Sequence, residues 1–376
     1  MLLRKDFLKN VKRIVLKIGT NLLTTEEKDL DEKVIKKIAK EALYCQNKNI
    51  RLTIVSSGAI TAGLKVLNLS KRPTNIPALQ ASAAIGQINL IAKYQQCFLN
   101  NNMTIGQILL STDDVHDRNR YLNIRNSLNE LYKNRVVPIL NENDSVNIEE
   151  LKFGDNDQLS AIIASITDAD LLVIYSDIDG LYTDNPKKNK QAAIIKEVKK
   201  LDASILALAR DKENDFSLGG MTSKLQAAKA AKAAGIGVFL GHGKKITIQQ
   251  ILEQEAVGTF FYPSVKKIQS RKRWLGFSPK IMGQLHIDNG CKKAICRNNK
   301  SLLPSGIIDV AGKFTKGCII EIIDSEQNSL GKGISNYSAE EINKIKGRKS
   351  SEIKNILGHI SYEEVIHRDN LYIFDT

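Results

Sequence analysis

The chain has 376 residues, more than one ordinary domain needs, which suggests two domains. Hydrophobic residues make up 42% of the sequence and charged residues 26%, so the composition excludes an intrinsically disordered chain. The formal net charge is +14, and half of it lies in the last 111 residues. Such a basic region indicates nucleic acid or anionic small molecules as partners, although a general enrichment in lysine explains it equally well.

Sequence signals for membranes, secretion and disulfides are missing. No stretch approaches the roughly 18 uncharged apolar residues that a membrane span requires. The first residues, MLLRKDFLKNVKR, lack the apolar run of a signal peptide, so we expect a cytoplasmic protein with no membrane association. The five cysteines are odd in number and form no CxxC pair, which favours reduced thiols over a disulfide framework or a zinc site.

Short β-branched runs alternate with helix-period segments through the first 260 residues or so. The runs are RIVLKIG, IRLTIVS, TIGQILL, RVVPIL, LLVIYS and IGVFLG. Between the first two, apolar residues such as Val34, Ile35 and Ile38 recur at helical spacing. This alternation predicts an α/β domain whose mostly parallel sheet is sandwiched by helices. Pro138 inside RVVPIL indicates an edge position or a strand start.

The pattern changes near Pro263. The segment PSVKKIQSRKRWLGFSPK is basic and has no clear period, and the glycine-broken pieces GQLHIDNG, GIIDVAGKF, GCIIEIID and GKGISNY after it indicate strands. AEEINKIKG and SSEIKNILG indicate short helices. We expect a large domain over 1–262, a basic linker over 263–280, a small β-rich domain over 281–360 and a tail over 361–376.

Polar residues and glycines stand where the predicted strands end. They are Lys17-Ile18-Gly19-Thr20, Ser56-Ser57-Gly58, Asn141-Glu142-Asn143-Asp144 and Ser176-Asp177. In open parallel sheets, ligands bind beyond the carboxyl ends of the strands. One buried lysine such as Lys17 is compatible with a structural ion pair, but repetition over four strands favours a binding site at this edge.

Two helix entrances carry further candidate residues. GGMTSK, from Gly219 to Lys224, precedes an alanine-rich helix, and FGDND places Asp155, Asn156 and Asp157 at the start of another. A glycine turn and a lysine at a helix N-terminus suit a phosphate group, although glycine and a hydroxyl also begin ordinary helices. Asp157 in turn could be an ordinary cap, but its polar neighbours favour a substrate or Mg²⁺ role.

The polar set points to phosphoryl transfer without a Walker A or GxGxxG motif, neither of which is present. Lys17 and Lys224 on one polyphosphate would neutralise the oxygens of a transferring phosphoryl group. The histidines are scattered, and we expect none of them beside these motifs: His116, His242, His286, His359 and His367. Their absence disfavours base-assisted chemistry, whereas a carboxylate acceptor is ionised at neutral pH and needs no base.

The ordered motifs resemble the amino acid kinase family. They are VLKIGTNLLT, IVSSGAITAG, VVPILNENDSV, KFGDNDQLSAIIA, YSDIDGLYTDNP and GGMTSKLQAAKAA. The region around LLPSGIIDVAGKF is similar to the PUA domain of the family members that phosphorylate glutamate. Aspartokinases would carry ACT domains instead, and UMP or acetylglutamate kinases would end near residue 260. The resemblance implies ATP-dependent phosphorylation of the γ-carboxylate of L-glutamate, the first step of proline biosynthesis.

The resemblance also implies residue roles. Lys17 and Lys224 would hold the transferring phosphoryl group, and Asp157 would orient both lysines. The implied ATP-binding residues are Lys17, Gly19, Thr20, Ser176, Asp177, Leu218, Gly219, Gly220, Met221, Thr222, Ser223 and Lys224. The implied glutamate-binding residues are Ser57, Gly58, Asp144 and Asn156. The family usually has threonine directly before the second lysine, and Ser223 keeps that hydroxyl.

Cofactor and partners follow from the same resemblance. Mg²⁺ would accompany ATP, held mainly by phosphate oxygens and water with Asp157 nearby. L-proline is implied as a feedback inhibitor, a homo-oligomer as the assembly, and glutamyl phosphate reductase as a candidate partner. Two alternatives stay open, namely a kinase for another small carboxylate and an RNA-binding protein. RNA is not expected, because the aromatic residues of the basic region are too scattered to form a stacking platform: Trp274, Phe277, Phe314 and Tyr337.

Overall fold

The chain, in a computed structural model, divides into two compact units, Met1–Lys267 and Ile268–Thr376. The structure describes residues 4–25, 27, 29–69, 71–111, 114–115, 117–146, 156–186, 188–208, 220–255, 257–264, 281–358 and 362–374. Leu218, Gly219 and most of the predicted linker lie outside the described residues. Within the described ranges, no helix combines the length and apolar character that crossing a membrane requires.

The first unit is built on one eight-stranded sheet. Its strands are β1 (Arg13–Ile18), β2 (Arg51–Ser56), β3 (Ile105–Leu110), β4 (Val137–Glu142), β5 (Leu171–Ser176), β6 (Glu197–Val198), β7 (Gly237–His242) and β8 (Thr259–Phe261). They lie in the order β3-β4-β2-β1-β5-β7-β8-β6, and only the β7–β8 pair is antiparallel. The predicted mostly parallel sheet and all six predicted strands are confirmed, and Pro138 stands at the start of β4, as expected.

Helices surround this sheet. They are α1 (Arg4–Lys9), α2 (Thr20–Leu23), α3 (Glu32–Asn47), α4 (Ala59–Val66), α5 (Ile76–Leu99), α6 (Arg118–Lys133), α7 (Asn156–Ile166), α8 (Ala203–Ala207), α9 (Met221–Ala233) and α10 (Ile248–Leu252). The Asp31 side chain caps α3 by accepting from two backbone N–H groups. The apolar face predicted for α3 is buried in the core of the unit, including Val34, Ile35 and Ile38.

Glycines set the packing of α4 against α5. A Cβ added to Gly86 would lie 1.8 Å from the Ala59 oxygen, and one added to Gly63 would lie 1.8 Å from the Ser82 oxygen. Gly58 precedes α4 with φ 101°, a left-handed conformation that lets the chain turn sharply from β2 into the helix. Gly63 and Gly86 therefore let α4 and α5 pack closely, and Gly58 begins α4 directly after β2.

A buried ionic network supports β5 from the side of α3. The Glu41 carboxylate, 5% exposed, accepts from the Tyr175 hydroxyl at 2.7 Å and pairs with Lys37 Nζ at 2.6 Å. Lys37 also donates to the Gly243 and Ile246 carbonyls, at 2.7 and 2.5 Å. Burial raises the pKa of Glu41 above its ordinary value. The network therefore ties α3 to β5 and to the loop after β7.

The second unit has a five-stranded sheet in the order β10-β9-β11-β12-β13. Its elements are β9 (Gln284–Ile287), α11 (Asn289–Asn298), β10 (Ile307–Ala311), β11 (Ile319–Ile323), β12 (Ser329–Ile334), α12 (Ala339–Ile345), α13 (Ile353–Leu357) and β13 (Leu371–Ile373). The predicted β-rich character is confirmed. Helix α11 was not predicted, and residues assigned to a tail from the sequence form the strand β13, paired with β12.

Candidate active site

Three charged side chains meet at the carboxyl edge of the first sheet. Lys17 lies in the central strand β1, Asp157 in the first turn of α7, and Lys224 in the first turn of α9. Lys17 Nζ is 2.5 Å from Asp157 Oδ1, and Lys224 Nζ is 3.3 Å from Asp157 Oδ2. The Ser223 hydroxyl donates to Asp157 Oδ2 at 2.8 Å. The fold thus brings together the three side chains that the resemblance assigns to catalysis.

The three charged side chains are removed from solvent. Asp157 is 0% exposed, Lys17 4% and Lys224 7%. Burial alone raises the pKa of Asp157, but the two ammonium groups and the Ser223 hydroxyl outweigh it and hold the pKa well below its usual range. The three side chains together carry one excess positive charge. A buried positive charge favours an anionic ligand that would neutralise it.

Two glycines leave the backbone near these lysines without side chains. Gly19 follows β1, and a Cβ there would lie 3.7 Å from the Tyr175 oxygen and 3.8 Å from Lys17 Nζ, without a clash. Gly220 precedes α9, and no described atom lies within 4 Å of a Cβ built on it. Helix α9 has 13 residues, and its first backbone N–H groups are of the kind that bind phosphates.

The remaining predicted ATP-binding residues lie at the same edge. Thr20 begins α2, and Met221, Thr222 and Ser223 form the first turn of α9. Leu218 and Gly219 lie outside the described residues.

The predicted nucleotide motif at the end of β5 is Ser176-Asp177. Ser176 Oγ and Asn21 Nδ2 each donate to the Asp177 carboxylate at 3.0 Å. Burial raises the pKa of Asp177, but these hydrogen bonds outweigh it and lower the pKa.

A histidine lies beside this motif. Strand register pairs Ser176 with His242 of β7, so the expectation that no histidine adjoins the motifs is wrong. The signal for His242 was its place at the end of the IGVFLG run. Burial lowers the pKa of His242 below its ordinary value.

Amide side chains join the ends of β2 and β4 to α7. Asn156 Nδ2 lies within hydrogen-bond distance of the Ser56 carbonyl at 3.0 Å, Ser57 Oγ at 2.8 Å and Asn141 Oδ1 at 3.0 Å. Asn156 is 8% exposed and Asn141 2%. The fold thus places Ser57 and Asn156, two predicted glutamate-binding residues, in direct contact.

This network extends to helix α5 through Asn141 and Gln87, whose contact the sequence does not predict. Asn141 Oδ1 accepts from the Glu142 backbone N–H at 2.9 Å, and Asn141 Nδ2 donates to Gln87 Oε1 at 2.8 Å. Asn141 was recognised only as part of a polar strand end. Gln87 was not recognised, and its only sequence signal is the adjacent Gly86.

A cavity of about 350 Å³ lies beside the amide network. Its wall includes Ala59 of α4, Gln87 of α5, and Glu142 and Asp144 at and after the end of β4. The volume lies at the small end of the range for ligand pockets, as a free amino acid requires. Asp144, predicted to bind glutamate, is thus in the cavity wall, and Gly58 directly precedes another of its wall residues.

The described acidic residues do not form a cage for a metal ion. Within the described ranges, no three or more His, Cys, Asp or Glu side chains converge. Asp157, the carboxylate at the centre of the site, already contacts two ammonium groups. This donor set fits a Mg²⁺ ion that keeps waters and is held by the phosphates of a nucleotide.

Comparisons with known proteins identify the family of the chain. The amino acid kinase family matches residues 12–242, and the PUA domain matches residues 283–357. A glutamate 5-kinase of Carboxydothermus hydrogenoformans is 42% identical over 372 residues, covering 99% of this chain and 100% of its own. One of Moorella thermoacetica is 40% identical over 367 residues, covering 97% of each chain. The crystal structure of UMP kinase from Ureaplasma parvum matches 67% of this chain and 99% of its own, with 17% identity and a TM-score of 0.45. The resemblance predicted from the motifs is confirmed: the chain belongs to the amino acid kinase family, among the glutamate 5-kinases that carry a C-terminal PUA domain.

Proposed function

We propose that the chain transfers the γ-phosphoryl group of ATP to the γ-carboxylate of L-glutamate, yielding L-glutamyl 5-phosphate and ADP in the first step of proline biosynthesis. The observation that carries the proposal is the burial of Lys17 and Lys224 on either side of Asp157 at the carboxyl edge of the sheet. The similarity to glutamate 5-kinases over nearly the whole chain supports the same reaction.

The geometry suits an in-line transfer between two anions. A glutamate carboxylate oxygen forms a bond to the γ-phosphorus while the bond from that phosphorus to the β–γ bridging oxygen breaks, and ADP leaves with the electron pair. Lys17 and Lys224 would neutralise the transferring oxygens, and Asp157 would keep both ammonium groups in place before the reaction begins. The acceptor is ionised at neutral pH, so no general base is needed.

We assign the nucleotide to the side of the site formed by the ends of β1 and β5 and the start of α9. Gly19, Thr20 and the turn from Gly220 to Lys224 would contact the phosphates, and Ser176-Asp177 would contact the rest of the nucleotide. The lack of a side chain at Gly19 and Gly220 supports this assignment, because a phosphate can approach the backbone closely there. Mg²⁺ bound to ATP would neutralise β- and γ-phosphate oxygens, with Asp157 nearby and engaged by the lysines.

We assign glutamate to the cavity and the amide network beside it. The Asp144 carboxylate in the cavity wall suits the α-ammonium group. Ser57 and Asn156 would contact the α-carboxylate end, and the turn at Gly58 gives the ligand a close approach to the backbone. The γ-carboxylate would then extend toward Lys17 and Lys224.

We further propose that L-proline inhibits by competing for this glutamate site. Proline carries an α-carboxylate and a similarly placed ammonium group but no γ-carboxylate to phosphorylate. Inhibition should appear at low glutamate and disappear at high glutamate. Inhibition that high glutamate does not relieve would reject an overlapping site.

The reactivity of the product and the exposed apolar side chains support proposals for a partner enzyme and for the oligomeric state. An acyl phosphate is short-lived, so glutamyl phosphate reductase is the proposed recipient. A homo-oligomer would cover exposed apolar side chains such as Ile88, which is 69% exposed. The cysteines within the described residues form no disulfide, in keeping with a cytoplasmic enzyme.

RNA binding is the alternative that the basic charge left open. Phe314 is 6% exposed and Tyr337 1% exposed, and both belong to the core of the second unit. These rings therefore do not offer faces on which bases could stack. Trp274 and Phe277 lie outside the described residues. Binding to transfer RNA that persists at about 0.2 M salt would favour this alternative, since nonspecific binding weakens steeply there.

An acceptor screen tests the proposed reaction. The protein is incubated with ATP, Mg²⁺ and one candidate acceptor, and hydroxylamine traps any acyl phosphate as a hydroxamate. We expect hydroxamate and ADP with L-glutamate, and much less with L-aspartate or N-acetyl-L-glutamate. An enzyme that phosphorylates one of the other acceptors and leaves glutamate unchanged would reject the proposal.

A further inference from the structure

We propose that Gln87 is a positioning residue that acts through Asn141 and Asn156 to hold the Ser57 hydroxyl as a hydrogen-bond donor toward the glutamate carboxylate. The inference rests on the proposed function, because it assigns a role to the contacts behind the proposed glutamate site. Four side chains from α5, β4, α7 and the end of β2 form the relay.

Backbone groups fix the direction of the two central amides. Asn156 Nδ2 faces the Ser56 carbonyl, which can only accept, so the amide nitrogen must occupy that position. Asn141 Oδ1 faces the Glu142 backbone N–H, which can only donate, so the amide oxygen must occupy that position. The backbone thus sets which end of each amide faces which partner, and the contact with Gln87 holds the Asn141 amide in that place.

That orientation makes Ser57 a donor. Asn156 Nδ2 donates to Ser57 Oγ at 2.8 Å, so the serine oxygen already serves as an acceptor. Within the described ranges, no acceptor lies at hydrogen-bond distance to take the Ser57 hydroxyl hydrogen. Ser57 is half-buried and can direct this hydrogen to a ligand. A carboxylate only accepts hydrogen bonds, so it matches this state of the serine. A reversed Asn156 amide would instead draw the serine hydrogen to itself.

Gln87 closes the outer end of the relay. Its Oε1 accepts from Asn141 Nδ2 at 2.8 Å, and Asn141 is only 2% exposed, so water does not compete for this contact while Gln87 is in place. The close contact between Gly86 and Ala59 holds this part of α5 beside the strand ends. Gln87 is itself half-buried, so substitutions there are compatible with folding.

Three substitutions at Gln87 separate the relay from the effects of local charge. Gln87→Glu keeps an acceptor, Gln87→Met removes it, and Gln87→Lys replaces it with a donor. The measurement is the KM for glutamate, the KM for ATP and kcat for each variant. Losing a hydrogen bond behind a charged ligand should raise the glutamate KM about tenfold in Gln87→Met, and at least as much in Gln87→Lys. Gln87→Glu should stay within about threefold of the wild type, and ATP KM and kcat should change little in all three variants.

The alternative is that residue 87 affects glutamate binding only through its charge in the cavity. The glutamate KM would then change in the opposite order, because anionic glutamate would bind better to Gln87→Lys and worse to Gln87→Glu. Gln95→Met is the matched control, since Gln95 is an exposed glutamine on the same helix. This control should leave all three kinetic parameters unchanged.

A double substitution tests whether the effect passes through Ser57. Gln87→Met should raise the glutamate KM further by less than about twofold when Ser57→Ala is already present, because coupled residues are not additive. A full, additive effect in that background, or a Gln87→Lys enzyme with wild-type glutamate KM, overturns the relay. If the wild type phosphorylates glutamate, these outcomes reject only the relay and not the proposed function. A wild type that does not phosphorylate glutamate rejects both the relay and the proposed function.

Discussion

Two aspartates, one in each unit, are buried and have lowered pKa values, yet their surroundings differ. Asp324 follows β11 and is 1% exposed, and it accepts from the backbone N–H groups of Glu326 and Asn328 at 2.9 and 2.8 Å. The hydrogen bond from Lys292, at 2.7 Å, contributes most to lowering its pKa to about 2. Asp157 instead lies between two buried lysines.

The origin of their partners separates a buried carboxylate of a functional site from one that stabilises a turn. The backbone partners of Asp324 are within four residues of it, so this carboxylate stabilises its own turn, and its lysine is 37% exposed. The partners of Asp157 come from β1 and α9, which are distant in sequence and meet only at the edge of the sheet. A lowered pKa is common to both. Convergence of buried cations from separate elements distinguishes the candidate active site.

The largest expected effect follows the removal of one of these cations. Lys224→Ala should lower kcat by roughly 10²–10³-fold, the usual loss when one preorganised charge donor is removed. The matched control is Lys292→Ala, which removes the lysine of Asp324 and should leave kcat unchanged. Glutamate-dependent ADP release measures both. A Lys224→Ala enzyme with kcat near that of the wild type would make Lys224 only a residue of the helix entrance.

Most of the first sheet could be predicted because its strands are continuous β-branched runs that end in polar residues. The edge carrying Lys17 and Ser176 follows from the parallel order alone. Helix α11 was missed because only Cys291 and Ile295 of its ten residues are buried, so the sequence carries a weak helical signal. Strand β13 was missed because it has only three residues.

The site itself was predicted less completely than the sheet. Contacts between elements distant in sequence leave no periodic pattern, so the link from Gln87 to Asn141 could not be found without the fold. The same holds for Glu41, a charged residue on the otherwise apolar face of α3, whose partner Tyr175 lies on a different element. His242 could have been found, because it ends a strand of the same parallel set.

A smaller effect is expected from acid pH, and both aspartates should contribute to it. Their folded-state pKa values lie below the value of about 3.9 in an unfolded chain, so the folded state binds fewer protons. The resulting stability is fully present above about pH 4 and is lost as the pH falls through the folded pKa values, about 2 for Asp324.

Denaturant unfolding at a series of pH values tests this dependence. The free energy of unfolding should fall less steeply between about pH 4 and pH 2 in Asp324→Asn than in the wild type, because one of the groups that take up protons on unfolding is gone. Equal slopes in the two proteins would mean that Asp324 has an ordinary pKa in the folded state.

Only a small change in turnover is expected from removing the second unit altogether. We propose that residues 1–267 form a kinase that folds alone, because the site residues and their sheet all lie in that unit. Turnover should stay within about threefold of the full chain, while proline sensitivity or oligomeric state changes. Native-like circular dichroism without turnover in the shortened chain would show that the second unit completes the active site.

The most direct test compares Asp157→Asn with Asp324→Asn at neutral pH in the same glutamate-dependent ADP release assay. Both substitutions remove a buried carboxylate of low pKa, and both should lower the melting temperature. Asp157→Asn should lose roughly 10²-fold or more in turnover, because the two lysines lose the group that positions them. Asp324→Asn should keep the turnover of the wild type. Wild-type turnover in a folded Asp157→Asn enzyme would contradict the assignment of phosphoryl transfer to Lys17, Asp157 and Lys224.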